Sequence, residues 1–365
     1  MEVVLLGEWN SAVDIEIKEF PFIQSIKIPK WHTKNWRLKR LSELYNWWLA
    51  KREVKKWMNK NKHKFDVLHS FNSWSNLNLA AVEIASQLGK KAITETCLIG
   101  ADDPKTLFKE KPKYKWSAQY YRKLAYLKAD TYISKSSYMT TFFGGLISRE
   151  KVAEVPYFVD VDKFKPLSVE EKIELREKYG LPVDKRIILF AGATCHRKGT
   201  DLLIRAFDYV HHLYPETYLI LAGPYDNDEQ FNEPIKLYVK QNSASVKHYE
   251  QRIEFIDEIM NLADIYCLPS LKEGLPISIL EALCAGRVIV ASAIPEIKDV
   301  QIRDEENGIL FKTNDIEDLK LKLREVVESY DVLNKNYLLV NQHASHSFSI
   351  AKIFISYLEL YKRDP

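Results

Sequence analysis

Arg186-Ile-Ile-Leu-Phe-Ala-Gly192, followed by Ala-Thr-Cys-His-Arg-Lys-Gly199 and then Thr200 to Tyr214, is the stretch on which the fold turns. The first seven residues form an apolar run bounded by a glycine, the pattern of a buried strand. Beyond Gly199, Leu202, Leu203, Ala206, Phe207 and Val210 recur at helical spacing. Strand, glycine, basic loop, glycine and helix make a phosphate cradle. Backbone N–H groups at the start of a helix and the cations Arg197 and Lys198 can share one anion there. A solvated basic loop has the same composition, so the neighbouring sequence has to decide.

That neighbour is Glu273-Gly-Leu-Pro-Ile-Ser-Ile-Leu-Glu281. The run Ala263 to Ser270 has strand composition, Gly274 and Pro276 mark a turn, and Ile277 to Ala285 has helical composition. Glu273 is therefore expected in a loop at the carboxyl end of a strand, where open parallel sheets bind ligands, and Glu281 about one turn into the next helix. A salt-bridged surface pair is the alternative reading. Both motifs lie in one alternation of strands and helices, which gives an α/β fold with parallel sheets.

Together these residues resemble the retaining GT-B glycosyltransferases of glycosyltransferase family 4. The Gly192 loop with Lys198-Gly199, Leu219-Ile-Leu-Ala-Gly-Pro224, Ala263-Asp264, Leu268-Pro269-Ser270, Glu273 to Pro276, Leu280-Glu281-Ala282, Pro295-Glu296-Ile297 and Asn307-Gly308 follow the family's order. The likeness is specific from about 150 to 330. Before that it rests on Asp66-Val-Leu-His-Ser70, Ala129-Asp130, Ile133-Ser134 and the segment Val159 to Pro166. It implies two Rossmann-like doubly wound domains facing across a cleft. The expected limits are 1–165 for an acceptor-side domain, joined by a crossing helix at 348–365, and 166–347 for a nucleotide-sugar domain.

The resemblance also implies an activity: a sugar moves with retention from a UDP- or GDP-sugar to a lipid-linked, glycan or related acceptor, with no metal and no other cofactor. Lys198, Arg197, Gly192 and the helix beginning at Gly199 would stabilise the leaving diphosphate. Glu273 would bind donor-sugar hydroxyls and Glu281 the ribose. Gly274, Leu275, Ile277 and Ser278 would assist through backbone N–H groups, Lys198 and Glu273 being the catalytic pair. Departures from the pattern stand at Ala193, where the family usually has an arginine, and at Thr96, near its acceptor-side histidine. Arg197 or His196 is the candidate substitute for the arginine. A GT-B enzyme acting on protein or nucleic acid, or a non-catalytic binding protein, are the alternatives. The carboxylate pairs Asp160/Asp162 and Asp226/Asp228 fall in a linker and a polar turn, and no metal site is expected.

The 365 residues, 46% of them hydrophobic, suffice for two cores. Cys97, Cys195, Cys267 and Cys284 show no metal spacing, and reduced thiols in the cytoplasm are expected. No signal peptide and no membrane-spanning run is expected. The net charge of +3 hides a basic segment: Lys30 to Lys64 holds twelve Lys or Arg, interleaved with Trp31, Trp36, Tyr45, Trp47, Trp48 and Trp57.

On a helix near 34–60, Leu41, Leu44, Tyr45 and Trp48 are expected to form the buried face, leaving Trp47 and Trp57 off it. Trp47, Lys51, Arg52, Lys55 and Lys56, with His69, are candidates for the acceptor side or for a peripheral contact with an anionic membrane. A nucleic-acid partner is the lesser expectation, since no such motif appears. The remaining pattern predicts strands near 2–6, 12–17, 23–28, 66–70, 91–97 and 130–134, and helices near 76–88, 114–128, 136–147 and 348–363.

Overall fold

The computed structural model describes residues 5–8, 23–26, 28, 30–71, 75–100, 102–108, 117–298 and 308–362. Its contacts divide into two units, Met1–Val155 with Leu358–Pro365, and Pro156–Tyr357. In the first unit, β1 (Leu5–Glu8) and β2 (Ile23–Ile26) pair in parallel. The strand expected at 12–17 lies outside the described residues. A second parallel sheet orders β3 (Val67–Phe71), β4 (Lys91–Glu95), β5 (Thr131–Ser134) and β6 (Val152–Glu154) side by side.

The second unit holds a parallel sheet of six strands among the described residues. They are β7 (Arg186–Ala191), β8 (Thr217–Ala222), β9 (Val246–Tyr249), β10 (Ile265–Leu268), β11 (Val288–Ser292) and β12 (Ile309–Phe311). Their spatial order is β12-β11-β10-β7-β8-β9. The chain winds outward from β7 to β9, then returns to the middle and winds the other way from β10. Between β7 and β10 the winding reverses, and at such a switch point the loops leaving the two strands part and open a crevice. Strands β7, β8, β10 and β11 are almost wholly buried, as expected for a sheet covered on both faces.

A charged network anchors the opposite, amino edge of this sheet. The buried Asp264 carboxylate accepts from Lys172 Nζ at 2.9 Å, Arg176 Nη2 at 2.8 Å and the Ile187 amide at 2.8 Å. Burial pushes its pKa up, but the two cations and the amide prevail and hold it down at about 2. Arg287, also buried, donates to the carbonyls of Ala285, Asn261 and Ala263. These contacts tie the starts of β7, β10 and β11 to the preceding helices.

Four expectations change. The boundary falls at 155/156 and 357/358 rather than 165/166 and 347/348. Val159 and Phe164 belong to the second unit's core, Val159 N donates to the Phe348 carbonyl at 2.8 Å, and Asn261 Nδ2 donates to the Lys163 carbonyl at 2.6 Å. The linker is thus bound to the second unit. The helix expected at 136–147 shrinks to Ser137–Thr140 and one 3-10 turn, because Gly144 and Gly145 follow and Gly145 adopts φ +79°. Asp103-Pro104 starts an unforeseen helix, Pro104–Leu107, with Asp103 capping the Thr106 amide.

The fourth change concerns the basic helix, Lys39–Asn61. Trp47, Ala50, Val54 and Met58 are buried, whereas Leu41, Tyr45 and Trp48 are exposed. The stripe of 41, 45 and 48 continues into Arg52 and Lys55, so it cannot supply an apolar seam along the whole helix. The stripe through Trp47 can, and it packs with helix Asn76–Gln87 in one core.

Candidate functional site

The loops after β7 and β10 meet above the switch point. From Gly192 the chain passes through Thr194, whose amide donates to the Pro224 carbonyl at 2.8 Å, and a 3-10 turn at His196–Lys198. Gly199 follows in the left-handed region, φ +66°, and caps helix Thr200–Leu213. A Cβ on Gly199 would stand 2.2 Å from the Pro269 carbonyl oxygen, and one on Gly223 would stand 2.1 Å from that of Gly192. Both approaches require glycine. They press the loops after β7, β8 and β10 together, and the Leu271 amide seals the first to the last by donating to the Arg197 carbonyl at 2.8 Å.

This closeness brings the two sequence motifs into one cluster. Lys198 Nζ lies 2.6 Å from Glu273 Oε1, and Arg197 Nη1 lies 3.1 Å from Oε2. Arg197 Nη1 also donates to the Lys272 carbonyl at 2.9 Å, and Ser270 Oγ donates to Glu273 Oε1 at 2.6 Å. Glu273 is buried; Lys198 is partly buried, and Arg197 reaches the surface. A carboxylate so held has little freedom to swing, and it keeps both cations aimed into the loop crevice.

Glu281 presents a different environment. It lies in helix Ile277–Cys284, where burial, with the negative charge of Asp257 adding to it, pushes its pKa up to about 7. The helix starts at Pro276 without a side-chain cap, and of its first turn the Ile279 amide donates to the Pro276 carbonyl at 3.1 Å. Ser278 Oγ lies 2.7 Å from Tyr266 Oη. Gly274 and Leu275 are buried, the Leu275 side chain in the core, so only their backbone is offered; Ile277 is exposed.

Ser270, Tyr266 and Glu296 were not foreseen as site residues. Glu296 is buried, which raises its pKa, and it interacts electrostatically with Lys272 and Glu273. A hydroxyl three residues before a loop glutamate was the available signal for Ser270. Glu296 lies 23 residues beyond Glu273, and its signal was the Pro295-Glu296-Ile297 motif of the resemblance. Of the two candidate substitutes for arginine at Ala193, Arg197 is engaged with Glu273, while the His196 ring packs edge-on against Phe231 with centroids 5.9 Å apart.

In the first unit, His69 stands at the centre of β3, opposite Ile93 of β4. His69 Nδ1 is 2.8 Å from Tyr361 Oη, and His69 Nε2 is 3.2 Å from Glu95 Oε2, whose Oε1 is 2.7 Å from Lys135 Nζ. The Phe71 ring stacks on His69 at 4.4 Å and is itself exposed. Trp47, at 3% exposure, is a core residue and cannot be a surface contact. Lys51 is paired with Glu83 at 2.6 Å, while Arg52, Lys55 and Lys56 are exposed.

Residues 171–337 match the family described as glycosyl transferases group 1. This stretch is a group 1 glycosyltransferase domain. It contains every candidate donor-binding residue named above. An uncharacterized glycosyltransferase of Haemophilus influenzae is 29% identical over 178 residues, 47% of each chain. The alpha-galactosylglucosyldiacylglycerol synthase of Streptococcus pneumoniae is 34% identical over 211 residues, covering 50% of this chain and 52% of that one. The chain thus spans about half the length of these curated relatives. The crystal structure of Anabaena HepE in complex with UDP superposes with a TM-score of 0.76 at 15% identity, covering 98% of this chain and 91% of that one. The fold class is that of the GT-B glycosyltransferases, with two parallel-sheet Rossmann-like domains.

The Glu281 environment sets a pH dependence. A carboxyl raised from 4.5 to about 7 on folding adds stability that is complete below pH 4.5 and is lost as pH rises through 7. Glu281→Gln removes this loss, so the variant gains on the parent between pH 5 and pH 8, by about 1–3 kcal/mol at the upper end. Unfolding midpoints of both proteins across that range measure it. A difference that stays constant with pH contradicts the assignment.

Proposed function

We propose that the protein is a retaining, metal-independent glycosyltransferase that moves a sugar from a UDP- or GDP-sugar to a lipid-linked or glycan acceptor in the cytoplasm. The observation that carries this is the cluster of Lys198, Arg197 and Glu273 beside uncapped helix starts at a switch point, inside the stretch that matches the group 1 family. HepE bound to UDP and the synthase of a galactosylglucosyl lipid support the donor and acceptor classes.

The chemistry follows from where charge develops. As the bond from the anomeric carbon to the phosphate oxygen breaks, its electron pair passes to the diphosphate, and the sugar becomes oxocarbenium-like. Lys198, Arg197 and the amino end of the helix that Gly199 caps stabilise the growing negative charge. Glu273, fixed by Ser270 and two cations, receives hydroxyls of the donor sugar and keeps Lys198 oriented. Glu281 receives the ribose hydroxyls, and the backbone of Gly192 and of 274–278 lines the phosphate path.

The acceptor hydroxyl attacks the same face the diphosphate leaves and passes its proton to a leaving phosphate oxygen. No protein nucleophile enters, and no metal is needed. The carboxylates of Asp226 and Asp228 accept from the amides of Asp228 and Phe231, a turn-capping role that fits this reading. His69 and its neighbours serve the acceptor side.

The acceptor side also meets an anionic membrane in this proposal. Trp36, Tyr45 and Trp48 are exposed, Tyr45 stacks on Trp48 at 6.3 Å, and the Arg52 guanidinium lies 5.4 Å from the Trp48 ring. Aromatic rings flanked by cations suit the headgroup layer. The contact therefore runs through Trp36, Trp48, Arg52, Lys55 and Lys56, in place of Trp47.

Lys198→Ala lowers kcat/KM for transfer by on the order of a hundredfold or more, the scale of losing a charge stabiliser at the transition state. A transfer assay with the UDP- or GDP-sugar that binds measures it, and near-parental kcat/KM refutes the cradle. Neutralising Arg52, Lys55 and Lys56 together removes about 3 kcal/mol of attraction, on the order of a hundredfold in partitioning to anionic liposomes. Trp47→Phe leaves partitioning unchanged. Equal co-sedimentation of the parent with neutral and anionic vesicles, at low and high salt, overturns the membrane contact.

A further inference from the structure

Beside the two carboxylates of the second motif stands a pair of hydroxyls. Tyr266, fully buried in β10, lies opposite Leu189 of β7. Its Oη is 2.7 Å from Ser278 Oγ and 3.4 Å from the carbonyl of Ala191, two residues nearer the carboxyl edge than Leu189. Ser278 is the second residue of helix Ile277–Cys284 and is half-buried. Among the described residues, Tyr266 Oη is the one hydrogen-bond partner of Ser278 Oγ. Glu281 and Glu273 both act electrostatically on the Tyr266 phenol, so the pair sits within reach of each.

The direction of the hydrogen bond decides what Ser278 offers. A hydroxyl has one proton to give and two lone pairs. If Tyr266 gives its proton to Ser278, the Ser278 proton is available to a ligand; if Tyr266 gives it to Ala191, Ser278 donates inward and turns only lone pairs outward. Distance favours the first arrangement, since 2.7 Å is the usual length between hydroxyl oxygens and 3.4 Å lies beyond that range. Burial raises the Tyr266 pKa, and the negative charges of Glu281 and Glu273 add to it, so the phenol keeps its proton.

Such a donor suits a ligand group that can only accept. In the proposed transferase, Glu273 receives hydroxyls of the sugar and Glu281 those of the ribose, and the diphosphate is the part of the molecule between them. Its oxygens carry lone pairs and negative charge, so a lone pair on Ser278 repels them and a proton binds them. We propose that Tyr266 is a positioning residue that fixes Ser278 as a hydrogen-bond donor to the diphosphate. Ser278 then acts through its hydroxyl as well as its backbone, while Tyr266 touches no ligand and sets the direction of that hydroxyl; the identity of the ligand rests on the transferase reading. The bond strengthens as negative charge grows on the leaving group, so the pair serves turnover as well as binding.

Calorimetric titration of UDP and GDP into the full chain, with saturation-transfer NMR of uridine and guanosine, tests this role. Ser278→Ala and Tyr266→Phe each weaken binding of the nucleoside diphosphate that the parent takes by on the order of tenfold, the scale of one hydrogen bond to a charged group, and leave binding of its nucleoside unchanged. The double variant binds no more weakly than Ser278→Ala alone, because Tyr266 acts only through Ser278. Ser278→Thr, which keeps the hydroxyl, restores most of the affinity.

Parental diphosphate affinity in Ser278→Ala overturns the proposal, and so does a double variant in which the two losses multiply. An equal loss of nucleoside and nucleotide binding in Tyr266→Phe does the same, since it marks a purely structural residue. Glu281→Ala separates this idea from the reading beneath it. A parent that binds neither UDP nor GDP refutes the transferase reading and the Tyr266 role with it. A parent that binds one of them, loses it in Glu281→Ala and keeps it in Ser278→Ala retains the donor site and refutes the Tyr266 role alone.

Discussion

The approach of Gly199 to the Pro269 carbonyl oxygen is the constraint on which the candidate donor site depends. With any side chain at 199 the loop after β7 would have to lift away from the loop after β10, since a Cβ there would sit 2.2 Å from that oxygen. The closeness follows from the order of the strands. Because β7 and β10 are neighbours though far apart in sequence, their loops leave the sheet side by side, and glycine lets them touch. Lys198 is then one residue from the contact and Glu273 four residues beyond it, so a 2.6 Å ion pair forms between groups 75 positions apart.

Two charged networks occupy opposite edges of the same sheet and have opposite characters. At the amino edge, Asp264 with Lys172 and Arg176 is buried, saturated with hydrogen bonds and directed inward, tying helices to strand starts. At the carboxyl edge, Lys198 and Glu273 are fixed from behind by Ser270 while Arg197 reaches solvent. Removing a partner from the first leaves buried charge without compensation, which damages the fold. The second can exchange a partner for a ligand group of the same sign. The sheet thus carries a structural end and a chemical end, and the fold supports the loops without dictating their specificity.

Much of the second unit was legible in the sequence because local and long-range signals agree there. Leu202, Leu203, Ala206, Phe207 and Val210 are buried as their spacing predicts, and the strand before Gly192 is apolar on both faces. The direct pairing of Lys198 with Glu273 was not legible, since it depends on strand order rather than periodicity. The buried face of the basic helix was not legible for a related reason. Two apolar stripes start on it, and only packing against helix Asn76–Gln87 decides that Trp47 goes in and Trp48 stays out. Gly144 and Gly145 ended a helix earlier than its apolar residues suggested. The linker around Val159 goes with the second unit through Phe348, a partner almost two hundred residues away that no local pattern reveals.

The proposed function requires that the loops at 192–199 and 273–281 hold a nucleotide sugar. Thermal unfolding of the full chain with UDP-glucose, UDP-galactose, GDP-mannose and ADP-glucose tests it most directly, because a ligand at a hundred times its Kd adds about 2.7 kcal/mol of stability. A UDP- or GDP-sugar is expected to raise the midpoint, and Glu281→Ala to abolish the rise at the same concentration. No stabilisation by any of the four, or a rise indifferent to Glu281→Ala, would contradict it.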